Sequence, residues 1–287
     1  MTAPLPDRRA IARIQAPPRA VHDLRDCDFY HTFDVPGHGP VHGHWDLRPN
    51  LGAYLGGVSF RGKRVLELGT ADGFITFHIE REGGDVVSYD LSEDFEWDVV
   101  PYAQILDRDT ARDDDGDWVT SAETFRQGIR RLNNAYWLCH AAYGSNASLV
   151  HGTVYAVPDD IGPVDIATFG SLLLHTRDPF GALASALRLT RETVIVTEPQ
   201  GRVRLPPALS RAARLLPSRL HKPSMRFLPD WRTAQNPDGW WRLSPDLVIA
   251  FLGVLGFEKT EVSYHSQLYK GQPRPMFTVV GRRTRTP

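Results

Sequence analysis

Glu67, Gly69, Gly73 and Asp90 are spaced as a nucleoside ligand would require. Glycines at 69 and 73 let the backbone pass close to a ligand, and the free N–H groups of a following helix attract polar atoms. An acid about 20 residues beyond such a turn can accept hydrogen bonds from ribose hydroxyls, and Asp90 occupies that place. The elements that must position these residues lie around them. Val65 to Leu68 reads as a short buried strand, Phe74 opens a helical pattern that stops at Gly83-Gly84, and Val86 to Tyr89 is a second strand ending in Asp90.

The spacing also separates cofactors. A dinucleotide turn carries G-x-G-x-x-G, whereas Ala71 stands two places after Gly69 and the pattern here is E-x-G-x-x-x-G. That pattern, with Asp90, resembles motif I of the class I S-adenosylmethionine (SAM) methyltransferases. The resemblance implies a turn of Glu67, Gly69, Thr70 and Gly73 against the methionine part of SAM, with Asp90 and Leu91 at its ribose. It also implies adenine near Thr153 and Val154, and Phe169 and Gly170 beside the cofactor. Relatives often place an aspartate near Thr153 to receive the adenine amino group; here backbone groups would take that contact.

The rest of the chain extends this unit into alternating strands and helices. Ser121 to Tyr143 carries the apolar stripe Phe125, Ile129, Leu132, Tyr136 and Cys139, capped by Ser121 and stopped by Gly144. Ser148–His151, Val164–Phe169 and Thr193–Thr197 read as strands three to five, with Asp178 and Pro179 opening the helix between the last two. A helix from Ser244 and strands Phe257–His265 and Met276–Gly281 complete the pattern. The expectation is an α/β fold with a doubly wound, mostly parallel seven-stranded sheet, six strands parallel and the last antiparallel. This again resembles the Rossmann-like methyltransferase core. Ligands on such sheets bind at the carboxyl ends of the strands, which gathers Gly69, Asp90, Thr153, Gly170, His175 and Glu198 along one edge. His175 is the expected catalytic residue, as a base or as a hydrogen-bond partner that orients the acceptor. A histidine that only bonds loop backbone is the alternative.

Residues 1–57 read as an N-terminal arm and lid, and 58–287 as the core with a basic, aromatic insertion at 199–242. His38, His42 and His44 match no zinc spacing, so no metal is expected. A plain surface loop and a lid over the methyl acceptor both fit residues 27–57. As a lid, this stretch has little core of its own and orders with ligand, His42, His44, Trp45 and Arg48 meeting the acceptor opposite Trp240 and Trp241. The insertion could hold RNA or an anionic small substrate, or simply cover the acceptor pocket, which is the preferred reading. Phe95, Trp97 and Tyr102 could cover the adenine or pack their own loop, and the acidic run from Asp107 to Asp117 reads as solvated.

A formal net charge of −1 offers no global field for nucleic acid. Two cysteines make no disulfide framework and suit a reducing cytoplasm. No window of 18 apolar residues occurs, and the N-terminus lacks the apolar run of a secretory signal. A cytoplasmic protein without membrane contact is expected. Phe169 to Pro179 (FGSLLLHTRDP) and Trp240-Trp241 are similar to the branch containing the bacterial tRNA wobble-uridine carboxymethyltransferase and its small-molecule relatives, with Leu174 in place of that branch's tyrosine. The expected function is SAM-dependent methylation of a small metabolite. A tRNA-modifying SAM- or carboxy-SAM-dependent transferase and a non-catalytic SAM-binding scaffold are the alternatives.

Overall fold

The computed structural model of the chain describes residues 8–95, 97–100, 122–200, 222–230 and 239–285. They form α1 (Arg8–Ile11), β1 (Phe33–Val35), β2 (Gly39–Val41), β3 (Trp45–Asp46) and α2 (Leu51–Tyr54). The core opens with β4 (Arg64–Leu68), α3 (Phe74–Arg81) and β5 (Asp85–Asp90), and α4 (Ala122–Tyr143) crosses to β6 (Ser148–His151). Then come β7 (Val164–Gly170), α5 (Pro179–Leu187), β8 (Thr190–Pro199), β9 (Met225–Phe227) and β10 (Trp241–Leu243). Helix α6 (Pro245–Val254), β11 (Lys259–Tyr269) and β12 (Gln272–Arg282) follow. Ser121, Tyr102, the acidic run and most of the arginines of 199–242 lie outside the described residues.

Eight strands make the main sheet, in the order β3-β11-β12-β8-β7-β4-β5-β6. The pairs β4–β5, β4–β7, β5–β6 and β7–β8 are parallel, and β12 runs antiparallel between β8 and β11. Two reversals bring β11 back to the common direction, so seven strands stand as expected, six one way and β12 against them. The eighth, β3, is a two-residue strand on the outer edge of β11, too short to leave a periodic signal.

Both faces of the sheet are covered, and strand residues alternate between them. Val65 and Val86 pack with α3 and α4, whereas Leu66, Leu68, Val87 and Tyr89 pack with α5 and α6. Helix α3 begins at Gly73 with φ +82°, and a Cβ there would fall 2.5 Å from the Phe77 ring. Asp178 caps α5 by accepting the Gly181 N–H at 2.8 Å, and Ser244 caps α6 through the Leu247 N–H at 3.2 Å.

The N-terminal segment is more deeply built in than its composition suggests. Gln15 bridges Val150, and the Ala16 N–H donates to the Leu149 carbonyl at 2.7 Å, so the arm extends the sheet beyond β6. Phe33, Val35, Val41, Trp45, Leu47 and Tyr54 are buried in the same cluster as α3 and α4. Exposed Asp34, His38 and His42 alternate with them, and prolines and glycines hide that alternation in the sequence. The Thr32 N–H donates to the Trp45 carbonyl at 2.7 Å, and the Trp45 N–H to Tyr30 at 3.0 Å. Hydrogen exchange at Thr32 and Trp45 is therefore expected to be slow without ligand. Fast exchange there, slowed only by added ligand, would instead mark the segment as a lid.

Candidate functional site

At the carboxyl ends of β4 to β7 lies a cleft of about 120 Å³. Gly69, Asp90, Leu91, Thr153, Val154 and His175 all line it. Trp97, Ile129, Leu132 and Leu172 add apolar wall, and Asn133 of α4 fixes the loop after β5 by donating to the Leu91 carbonyl at 3.1 Å.

The turn after β4 is held from two sides. Asp90 accepts the Ala71 N–H through Oδ2 and the Leu91 N–H through Oδ1, each at 2.7 Å. Each oxygen keeps a further lone pair for a ligand hydroxyl. Burial raises this carboxyl above the usual range, against the pull of those two backbone donors. From the other side, Asp72 accepts the N–H groups of Tyr30 (2.9 Å) and His31 (2.7 Å) through Oδ2. Its Oδ1 meets His31 Nδ1 at 2.6 Å and the Phe74 N–H at 3.3 Å. Gly69 holds φ +77°, and a Cβ on it would lie 3.3 Å from Leu172, so Leu172 rather than open space covers its α-carbon.

Glu67 and Thr70 sit behind the turn. Strand alternation points Glu67 toward α3, where it accepts the hydroxyls of Thr70 (3.2 Å) and Thr76. Thr76 continues to Ser88 at 2.8 Å, and Tyr136 donates to Ser88 at 3.1 Å. Burial pushes the Glu67 carboxyl up to about 8. Phe169 is buried in the opposite layer, and Gly170 is crowded by Tyr54, whose hydroxyl would stand 2.8 Å from a Cβ there. These residues shape the site from beneath, while Asp90, Leu91, Thr153 and Val154 face the cleft.

His175 ends a 3-10 turn, Leu173–His175, beyond β7. Glu198, at the end of β8, holds that turn by accepting the Leu173 N–H at 2.7 Å. Burial pushes the Glu198 carboxyl up to about 8, and its Oε2 has no partner among the described residues. The outer wall is stapled by Asp98, which takes the Arg177 Nε–H at 2.7 Å and the Tyr155 hydroxyl. Trp240 joins this wall, donating Nε1–H to the Asp98 carbonyl at 2.6 Å and its backbone N–H to Leu174 at 2.9 Å. Trp241 donates Nε1–H to the Arg177 carbonyl at 3.2 Å.

The other expected acceptor residues, His42, His44, Trp45 and Arg48, are not among those lining this cleft. His42 and His44 are exposed, and Arg48 forks onto Asp46 at 2.8 Å. Trp45 is buried and donates Nε1–H to the Tyr30 hydroxyl at 3.1 Å. Trp97 lines the cleft, whereas Phe95 is exposed. The roles of Asp72, His31, Asn133 and Asp98 went unread in the sequence, since each acts on residues 41 to 142 positions away.

An antiparallel strand between the fifth and sixth parallel strands, with a cleft beside the β4–β5 turn, makes this a Rossmann-like methyltransferase fold. The N-terminal domain of EvdMO1, solved in the presence of SAH (S-adenosylhomocysteine) and D-fucose, shares it: TM-score 0.53, 19% identity, 91% of this chain and 93% of that one. A looser likeness, at TM-score 0.44 and 15% identity, joins 82% of this chain to 75% of the Burkholderia thailandensis 1,6-didemethyltoxoflavin-N1-methyltransferase. No family model and no curated protein matches the sequence.

Proposed function

We propose that this protein is a SAM-dependent methyltransferase acting on a small-molecule acceptor. The observation that carries the reading is one cleft combining a glycine turn, a braced acid at the end of β5 and an apolar wall from α4. That set of groups fits an adenosine: Asp90 to accept the ribose hydroxyls, Leu91, Ile129 and Val154 for the flat faces of the base. The EvdMO1 domain, of the same fold, was solved with SAH, which supports the same ligand class here. SAM would supply an electrophilic methyl group on a sulfonium. Transfer of such a group rests mainly on alignment, which can lower a barrier by about 7–11 kcal/mol in favourable cases. His175, in the cleft on a turn pinned by Glu198, serves as the partner that orients the acceptor. The two segments similar to the wobble-uridine branch touch each other, Trp240 on Leu174, and that contact supports kinship with the branch's small-molecule members.

Calorimetry with SAH tests the reading. Asp90→Ala is expected to weaken binding by about 1.5–3 kcal/mol, the range of hydrogen bonds to a charged group. Gly69→Val should abolish it, because a β-branched residue at φ +77° both strains the turn and strikes Leu172. Wild-type affinity in both variants, with melting temperatures unchanged, would remove the cofactor assignment.

A further inference from the structure

The ribbon of β9 and β10 carries charges that nothing described on the protein neutralises. Arg226 and Arg242 are directly opposite in its register. Like charges in that position repel. Arg242 is half-buried, and its guanidinium is held below its usual pKa by burial first, then by Arg226 and Arg274 nearby. Arg274, the third residue of β12, is half-buried as well. None of the three has a carboxylate partner among the described residues, whereas Arg19, Arg48, Arg131 and Arg188 all have one. Arg226 is exposed, and two partly desolvated cations beside this third one, without counter-charge, are unfavourable unless an anion completes them.

The ribbon also stands where an acceptor would enter. Trp240, adjoining β10, bonds Leu174 beside His175, and the Gln200 N–H donates to the Pro275 carbonyl at 2.9 Å next to Arg274. Because β12 runs against the parallel set, its first residues lie at the carboxyl edge of the sheet, level with the end of β8. Trp241 and Leu243 pack toward the core, which leaves the arginines on the opposite face of the ribbon.

We infer that Arg226, Arg242 and Arg274 form the binding site for an oxyanion, a phosphate or carboxylate, carried by the small acceptor. The inference rests on the methyltransferase reading for the word acceptor, though not for the anion. Guanidinium groups suit such ligands because their planar N–H pairs match two oxygens at once.

Titration of the SAH-loaded chain with inorganic pyrophosphate and, separately, with citrate tests it by calorimetry and thermal melting. At least one anion should bind saturably, and the better of the two identifies the oxyanion. Arg242→Gln and Arg226→Gln should each weaken that binding by about tenfold or more, with SAH affinity unchanged. Without anion, Arg226→Gln should melt about 1–2 °C higher, since it removes a repulsion. An ordinary structural arginine would shift the melt the other way, and that result overturns the proposal. So does anion binding indifferent to both substitutions. Tight tRNA binding that falls steeply with salt and is lost in both variants would assign the cluster to RNA instead. Failure of wild type to bind SAH would remove the methyltransferase reading and leave the anion result to stand by itself.

Discussion

Asp72→Ala is expected to lower the unfolding free energy by about 3–5 kcal/mol, as for the loss of one member of a buried pair. Asp72 is wholly buried, and its two oxygens accept from Tyr30, His31 and Phe74 N–H groups and meet the His31 ring. Alanine leaves those donors without acceptors in a place water does not reach, at about 1–3 kcal/mol for each group left unsatisfied. The turn from Gly69 to Gly73 would lose its support on the side away from Asp90, so SAH affinity should fall as well. Asp72→Asn keeps an oxygen for the two backbone N–H groups and should recover part of the loss. Urea unfolding measures the effect; an alanine variant with the wild-type midpoint would show that the N-terminal segment is not anchored through this carboxylate.

Stability is expected to decline as pH rises from about 6.5 to 8, by a few kcal/mol in all. Glu67 and Glu198 are each pushed by burial from 4.5 to about 8 in the folded chain. Between those values the folded protein holds a proton on each that the unfolded chain has released. The contribution of these two carboxyls therefore falls with rising pH across this window and levels off above about 8. His78, His151 and His265, held below 6.5 by burial, act in the opposite sense under acid conditions. Glu67→Gln and Glu198→Gln isolate the carboxyl part, since each should flatten the slope between pH 6.5 and 8. A slope unaltered in both would mean that these side chains ionise freely in the folded state.

What the sequence made legible was local. Gly69 and Gly73 declare themselves because only glycine takes left-handed φ readily, and Asp90 because a fixed strand–helix–strand length sets its distance from the turn. The number and direction of the seven main strands were also legible, down to the reversed β12, whereas their order in the sheet was not. What stayed hidden were contacts between distant segments. Asp72 reads as an ordinary turn residue until Tyr30 and His31 are placed upon it. Trp45 was expected at an acceptor, and the structure buries it against the Tyr30 hydroxyl instead. Glu67 belongs to the motif pattern, yet strand alternation sends its carboxyl to Thr70 and Thr76 beneath the turn. The basic character of 199–242 was plain, whereas the face-to-face setting of Arg226 and Arg242 needed the register.

Strand β12 comes after β11 in the chain but lies inside the sheet, between β11 and β8. A nascent chain on the ribosome can therefore build β4 to β8 and still present the apolar edge of Val194, Ile195 and Val196 with no partner. That edge closes only when residues 272–282 have emerged and inserted. Until then it can pair with any other unpaired strand nearby. Premature termination between β8 and β12 should accordingly yield insoluble chains rather than a shortened protein, and chaperones that shield strand edges should matter most in that interval.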